Sequence, residues 1–342
     1  PPTGVLRACV LAALPVLGCF ARVFVARLCC AFLFVAWASA PSETSSGCSS
    51  SVDTREVCIQ SAATSLPPLT ASHADLSDEF PRSLHVFYDM TCLIGRAAVI
   101  TGAASGIGLA CSEAALSKGL ACLIAVDKGS AALAAAASHL RRAHPAATIL
   151  SHETDVTDPS SLAAAFDMLE GRDLGLVVNN AGIGGEADWR QTLAVNLTAA
   201  IHGTQLGLQY FGPGGGVVVN TASMAGLVPM SFGPVYTASK HGLVGFSRCF
   251  DHLAVRKNVR VNVLCPAFVD TPLLRSLLDD PKAGKAGRIA IDEHGGLIPM
   301  EKVVDAFMEL VENAAHVGTV MAVTSKGGAR PAQFGSLFAE PR

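Results

Sequence analysis

Between residues 97 and 323 short apolar runs alternate with segments of helical length, and this alternation limits the possible folds more than any other feature of the sequence. The runs at 97–100, 121–126, 148–151, 174–178, 216–220, 259–264 and 319–323 are rich in Val, Ile, Leu and Ala. Near-continuous apolar character of this kind suits strands buried on both faces. Helices are expected between the first Gly-rich turn and residue 118, over 130–142, from 159 onward, and over 191–210 and 231–256. The expected fold is therefore α/β, a doubly wound parallel sheet of Rossmann type in a single domain.

The chain has 342 residues, ample for such a core, and that core is expected over 91–330, with 331–342 as a C-terminal tail. The first forty residues differ in kind. Apolar runs at 8–21 and 28–42 are punctuated by Arg7, Arg22 and Arg27, and the first acidic residue is Glu43. Neither run reaches the roughly 18 residues of a spanning helix. A basic, acid-free apolar segment followed by Ala38-Ser39-Ala40 is expected to act in organelle or secretory-pathway targeting, with a membrane anchor as the alternative and a cytoplasmic location if it does neither. Residues 41–90 are rich in Ser, Thr, Ala and Pro without apolar periodicity, the pattern of a disordered linker. The net charge of −3 offers no basic surplus to neutralise phosphates, so no nucleic-acid partner is expected. The 11 Cys show no C-x-x-C and no Cys/His grouping at metal spacing, so neither a disulfide framework nor a metal site is expected.

The stretch TGAASGIG, residues 101–108, lies between the first strand and the first helix. Gly102, Gly106 and Gly108 allow a tight turn and close approach of backbone to a pyrophosphate, and the helix N-terminus adds free N–H groups and a positive dipole end. Asp127 closes the second strand, 19 residues beyond Gly108, where a carboxylate accepts hydrogen bonds from ribose hydroxyls and repels a 2′-phosphate. The expected cofactor is NAD. Asp155 after the third strand is placed either to reach the adenine or to cap the turn at Asp158-Pro159.

Tyr236 and Lys240 are i and i+4, on one face of a helix. A phenol near pKa 10 is a poor base at neutral pH, and a neighbouring ammonium favours its ionised form. Ser223 lies 13 residues before Tyr236, Asn196 falls in the preceding helix, and Asn179-Asn180-Ala181-Gly182 follows the fourth strand. In a doubly wound sheet these points share the carboxyl edge, where ligands bind.

TGAASGIG, Asp127, Asp155, NNAG, Asn196, Ser223 and YTASK, in this order and spacing over residues 92–330, resemble the classical short-chain dehydrogenase/reductase family. The resemblance implies Tyr236 as general acid/base, Lys240 as the group that lowers its pKa and binds the nicotinamide ribose, Ser223 as a hydrogen-bonding partner of the substrate oxygen, and Asn196 as the holder of a relay water. It implies further that Ser105, Ile107, Val156, Asn179, Ala181, Gly182, Pro266 and Val269 line the cofactor and that Thr271 meets the nicotinamide amide. The segments NNAGIGGEADWRQTLAVNL, ASMAGLVPMSFGPVYTASKHGLVGFSR and VTSKGG are similar to one branch, the NAD-dependent 15-hydroxyprostaglandin dehydrogenases. Three departures stand out: Gly233 where that branch carries Gln, Ala267 where the family usually carries Gly, and a more polar lid from Leu273 to Pro299.

The expected activity is hydride transfer to NAD from a secondary alcohol on a hydroxylated fatty acid or prostaglandin-like small molecule. The alternatives are reduction of a ketone or 3-oxoacyl substrate with NAD(P)H, and a non-catalytic dinucleotide sensor. Arg275, Lys282, Lys285 and Arg288 are read either as receivers of a substrate carboxylate or as ordinary lid charge. Trp189 is read as core or interface, His241 as helix surface and Cys265 as buried packing. The resemblance implies a homodimer formed through the helices at 191–210 and 231–256.

Overall fold

The computed structural model describes residues 93–334; the segments expected at 1–40 and 41–90, and most of the tail, lie outside the described residues. The strands are β1 (Ala97–Thr101), β2 (Cys122–Asp127), β3 (Thr148–Glu153), β4 (Leu174–Asn179), β5 (Gly216–Thr221), β6 (Val259–Pro266), β7 (Val320–Thr324) and β8 (Gly328–Pro331). They form one sheet in the order β3-β2-β1-β4-β5-β6-β7-β8. Neighbours from β3 to β7 are parallel, and β8 turns back antiparallel along β7. All seven expected strands form. The eighth was not expected, because Gly328-Ala329-Arg330-Pro331 carries no apolar pattern and is held by its pairing alone.

Alternate side chains of each strand feed opposite faces of the sheet. Ala98 and Ile100 of β1 and Leu123 and Ala125 of β2 pack under helices α1 (Gly106–Ser117) and α2 (Ser130–Ala143). Their neighbours Ala97, Val99 and Ile124 pack on the other face with Phe166 of α3 (Pro159–Asp167). The long helix expected at 191–210 is divided: α4 (Trp189–Leu193) runs into a π-turn (Ala194–Thr198) and then α5 (Ala199–Tyr210). The helix expected at 231–256 is α6 (Pro234–Ser247), followed by a 3₁₀ turn and the short α7 (Leu253–Lys257). Helices α8 (Pro272–Asp279) and α9 (Gly284–Glu293) form the lid region, and α10 (Met300–Glu312) completes the first face. Among the described residues no helix is long and apolar enough to cross a membrane.

Arg260, in the middle of β6, is fully buried. Its Nη1 donates to the carbonyls of Leu310, Asn313 and His316 at 2.9, 3.0 and 3.0 Å, and Nη2 to that of Val311 at 2.6 Å. Burial lowers its pKa to about 10. The negative end of α10 supplies the compensating partial charge, so a strand cation serves as the C-terminal cap of a helix on the sheet. Arg260→Met takes the guanidinium donors from all four carbonyls, leaving Leu310 and His316 with Asn262 Nδ2 and Asn313 with the His316 N–H, and is expected to destabilise the fold by at least about 3 kcal/mol, with Arg260→Lys intermediate. The urea midpoint measures this, and a midpoint equal to that of the wild type would show that the clamp contributes nothing.

Candidate active site

The strand order reverses between β1 and β4, and a crevice opens there at the carboxyl ends of the strands. Thr101, the last residue of β1, accepts at Oγ1 from the N–H groups of Asn180 and Ala181, at 3.0 and 3.1 Å. Asn180 Nδ2 donates back to the carbonyls of Thr101 and Gly102. The NNAG stretch and the Gly-rich turn thus form a single floor. A Cβ at residue 108 would lie 2.1 Å from the carbonyl oxygen of Gly102, so only glycine lets α1 start this close to the turn. Ser105 stands at the N-cap of α1 without a side-chain cap, and no acid occupies the first turn. The free N–H groups and the positive dipole end suit an anionic diphosphate.

At the rim, Asp127 Oδ2 accepts from Ala104 N–H and Oδ1 from Gly129 N–H, both at 3.0 Å. Each oxygen keeps a lone pair for a further donor. Lys128, the neighbouring cation, is paired with Asp155 at 2.7 Å. Asp155 also accepts from Thr157 N and Oγ1, and these hydrogen bonds, led by that from Lys128, push its carboxyl down to about 2. The following turn is capped by Asp158, which accepts from Ser160 and Ser161. Val156, Asn179 and Ala181 share a small cavity with Thr101 and Val195. The Asn179 side chain points into the core, where it donates to Thr204 and Asn220. Thr271 caps α8 and lies directly over Gly106: a Cβ there would sit 3.2 Å from Thr271 Cγ2. Pro266 ends β6, and Val269 bridges to Ile298 beneath the lid.

On the other side of the crevice Tyr236 and Lys240 project from α6, with Lys240 Nζ 5.6 Å from the centre of the phenol ring. Lys240 is buried and donates to the Thr221 carbonyl at 2.8 Å. Ser223 caps a 3₁₀ turn after β5, accepting from Ala225 N–H, and its hydroxyl lies against the Tyr236 phenol. A Cβ at Gly182 would lie 3.5 Å from Asn196 Oδ1 and 3.6 Å from Lys240 Nζ, so these three residues converge. Asn196 sits in the π-turn, a helical defect that often marks a functional position. Its Oδ1 accepts from Ile183 N–H, and Nδ2 donates to the Ile183 carbonyl and to Ser239 Oγ. Both amide hydrogens are therefore taken, and the side chain can offer a water only an acceptor.

Burial dominates the electrostatics. It pushes the Tyr236 phenol up to about 12, against the opposing hydrogen bond from Ser223, and pulls Lys240 down to about 8. Lys240 thus keeps its charge at neutral pH while the phenol is un-ionised. Bringing the phenol from 12 to 7 requires about 7 kcal/mol of preferential phenolate stabilisation. A cation at this distance supplies about one to three units, and a bound group must supply the rest.

The remaining expectations divide. Arg275 is held by Asp270 in a bidentate pair, whereas Arg288 gives one Nη1 bond to the Leu278 carbonyl and keeps its other donors exposed. Lys282 and Lys285 are exposed and make no ion pair among the described residues. Trp189 is 46% exposed, with the Arg190 guanidinium 4.2 Å from its ring, because α4 turns this position outward; it is not core. His241 lies on the helix surface and Cys265 is buried beside Lys240 and Tyr236. Glu186 was not anticipated: its carboxylate accepts from the N–H groups of Val235 and Tyr236, at 2.8 and 3.1 Å. The available signal was Gly233-Pro234 at the start of α6, which supplies no capping side chain of its own.

A family model described as short chain dehydrogenase matches residues 96–282. The mouse (Mus musculus) 15-hydroxyprostaglandin dehydrogenase [NAD(+)] is 36% identical over 248 residues, covering 68% of this chain and 91% of that protein. Among solved structures, a short-chain dehydrogenase/reductase from Burkholderia phymatum in complex with NAD superposes with a TM-score of 0.59 at 28% identity, covering 66% of this chain and 89% of the other. The L-sorbose reductase of Gluconobacter frateurii, complexed with NADPH and L-sorbose, gives a TM-score of 0.60 at 26% identity, covering 69% and 97%.

Lys240→Met removes the ammonium without emptying its slot. Turnover at neutral pH is expected to fall about 10- to 1,000-fold and to recover about tenfold per pH unit on the alkaline side, because the phenol then ionises at higher pH. The pH–rate profile decides: a uniform loss with unchanged shape would mean that Lys240 does not tune the phenol.

Proposed function

The chain belongs to the short-chain dehydrogenase family, and on that premise we propose that it oxidises a secondary alcohol of a hydroxylated fatty acid or prostaglandin-like substrate, with Tyr236 as general base. It is an NAD-dependent alcohol dehydrogenase. The observation that carries the proposal is the convergence of the Tyr236 phenol, the buried Lys240 ammonium and the Ser223 hydroxyl beside an uncapped Gly-rich turn. NAD supplies the acceptor for the hydride that leaves the carbinol carbon, and a positive ring that adds to the charge favouring phenolate.

Within that site Tyr236, ionised, takes the hydroxyl proton, and Lys240 holds the charge that makes ionisation possible. Ser223 hydrogen-bonds the substrate oxygen and fixes its distance to the phenol. Gly102, Ser105, Gly106, Ile107 and Gly108 hold the pyrophosphate, Asp127 the adenosine ribose, and Val156, Asn179, Ala181, Gly182, Pro266, Val269 and Thr271 the remaining walls. Asp155 contributes by keeping Lys128 in place at the rim. Asn196 anchors the Ile183 loop and offers an acceptor to a relay water. Asp127 disfavours a reductive, NADPH-linked role through its charge, and a mere dinucleotide sensor would have no chemical need for Ser223, Tyr236 and Lys240. The likeness to the mouse enzyme supports the substrate class, and membership of the family supports a homodimer.

NADH formation by the full chain with NAD and a panel of hydroxylated fatty acids and simple secondary alcohols tests the proposal. Turnover of the long hydroxy acids is expected, reduced about 100- to 10,000-fold in Tyr236→Phe. NAD binding without turnover of any of them would remove the substrate class.

Asp127→Asn keeps an acceptor but removes the charge, and it is expected to narrow the affinity gap between NAD and NADP by about tenfold, a change of about 1.4 kcal/mol. Fluorescence titration of the two dinucleotides reads this directly. An unchanged ratio would show that Asp127 does not set the preference.

A further inference from the structure

Helix α6 carries the base but has no cap of its own. Gly233 stands at its N-cap without a side chain, and Pro234 follows. The N–H groups of Val235 and Tyr236, in its first turn, are taken instead by Glu186, from a loop 49 and 50 residues earlier in the chain. Both carboxylate oxygens are used, Oε2 on Val235 at 2.8 Å and Oε1 on Tyr236 at 3.1 Å. A charge-assisted, two-point cap of this kind is stronger than the usual hydroxyl cap and fixes orientation as well as position.

The loop that supplies Glu186 borders the crevice on two further sides. A Cβ at Gly184 would lie 3.7 Å from Leu273 Cδ1 of the lid helix α8. Thr192 Oγ1 donates to the Gly185 carbonyl, tying the loop to α4, and Asp188 caps that helix. Glu186 therefore joins a loop that touches the lid to the backbone of the reacting tyrosine. We propose that Glu186 is a positioning residue for Tyr236, holding the first turn of α6 so that the phenol stays in the desolvated crevice. This rests on the assignment of Tyr236 as the base.

The groups facing the phenol are Ser223 from the β5 turn, Cys265 from β6, Lys240 from α6 itself and the Glu186 carboxylate at its backbone. Burial holds the phenol high in the wild type. Removing Glu186 lets the first turn fray and water reach the ring, and it also removes a negative charge. Both changes lower the pH at which Tyr236 ionises.

The test uses the full chain carrying ring-labelled tyrosine. The chain has three tyrosines, and Tyr236→Phe assigns the signal. NMR through an alkaline titration should show the Tyr236 midpoint falling by about one unit in Glu186→Ala and by less in Glu186→Gln, which keeps one acceptor. With any alcohol that the wild type oxidises, kcat should fall about tenfold in Glu186→Ala and partly recover in Glu186→Gln, with KM and the dissociation constant for NAD within about twofold. A Tyr236 midpoint unmoved in both variants overturns the proposal, as does a kcat unmoved in Glu186→Ala. If Glu186→Ala does not fold, the isosteric Glu186→Gln decides by the same titration. The titration needs no substrate, so a panel that the wild type leaves untouched counts against the substrate class and not against Glu186.

Discussion

A methyl group at residue 108 would place a carbon 2.1 Å from the Gly102 carbonyl oxygen, and the geometry of the whole cleft follows from the closeness that glycine permits there. With α1 pressed against the turn, its uncapped N-terminus faces the point where the strand order reverses. Asn180 can then span from the end of β4 to the carbonyls of Thr101 and Gly102. Thr271 closes over Gly106 from the far side, which brings the lid to the same place. This half of the cleft is thus largely backbone, positioned by steric necessity and by a few amide bonds.

The other half is governed by desolvation. Burying a phenol and an ammonium together moves both toward their neutral forms, up to about 12 and down to about 8. In the free protein this keeps the phenol protonated. The phenol ionises near neutral pH only when further positive charge enters the crevice, so ionisation of Tyr236 is tied to occupation of the neighbouring half. Cys265 shares this buried space and its own thiol is pushed up to about 12, so it stays a neutral wall beside the lysine and does not compete with Tyr236 for the charge.

These two kinds of constraint explain what could be read from the sequence. Buried parallel strands such as Val217–Val219 are apolar on both faces, so seven strands were legible, whereas β8, held by pairing alone, was not. The Gly-rich turn, Asp127 and the Tyr236/Lys240 pair were legible because sterics and helical spacing are local. Where a side chain answers to distant partners, the sequence left alternatives open. Asn179 turns toward Thr204 and Asn220, Asp155 is engaged by Lys128 and Thr157, and Arg275 by Asp270. The π-turn at Asn196 likewise leaves no trace in a 3.6-residue pattern, since it accompanies a bond from the side chain to Ile183.

One of the chain's departures, the glycine at the start of α6, has a physical logic. Gly233 leaves α6 without a capping side chain, and a Cβ there would meet Met230 Cε at 3.3 Å, Glu186 Oε1 at 3.6 Å and Tyr236 Cβ at 3.7 Å. The position is therefore enclosed by a flexible thioether and by the carboxylate that holds the helix. A long amide at 233 would have to displace Met230, the more yielding of the two neighbours. The Gly-rich turn is shaped by backbone contacts, whereas the surroundings of Tyr236 are assembled from side chains on separate loops. A change of side chain at 233 can therefore alter the chemistry next to Tyr236 without disturbing the Gly-rich half of the cleft.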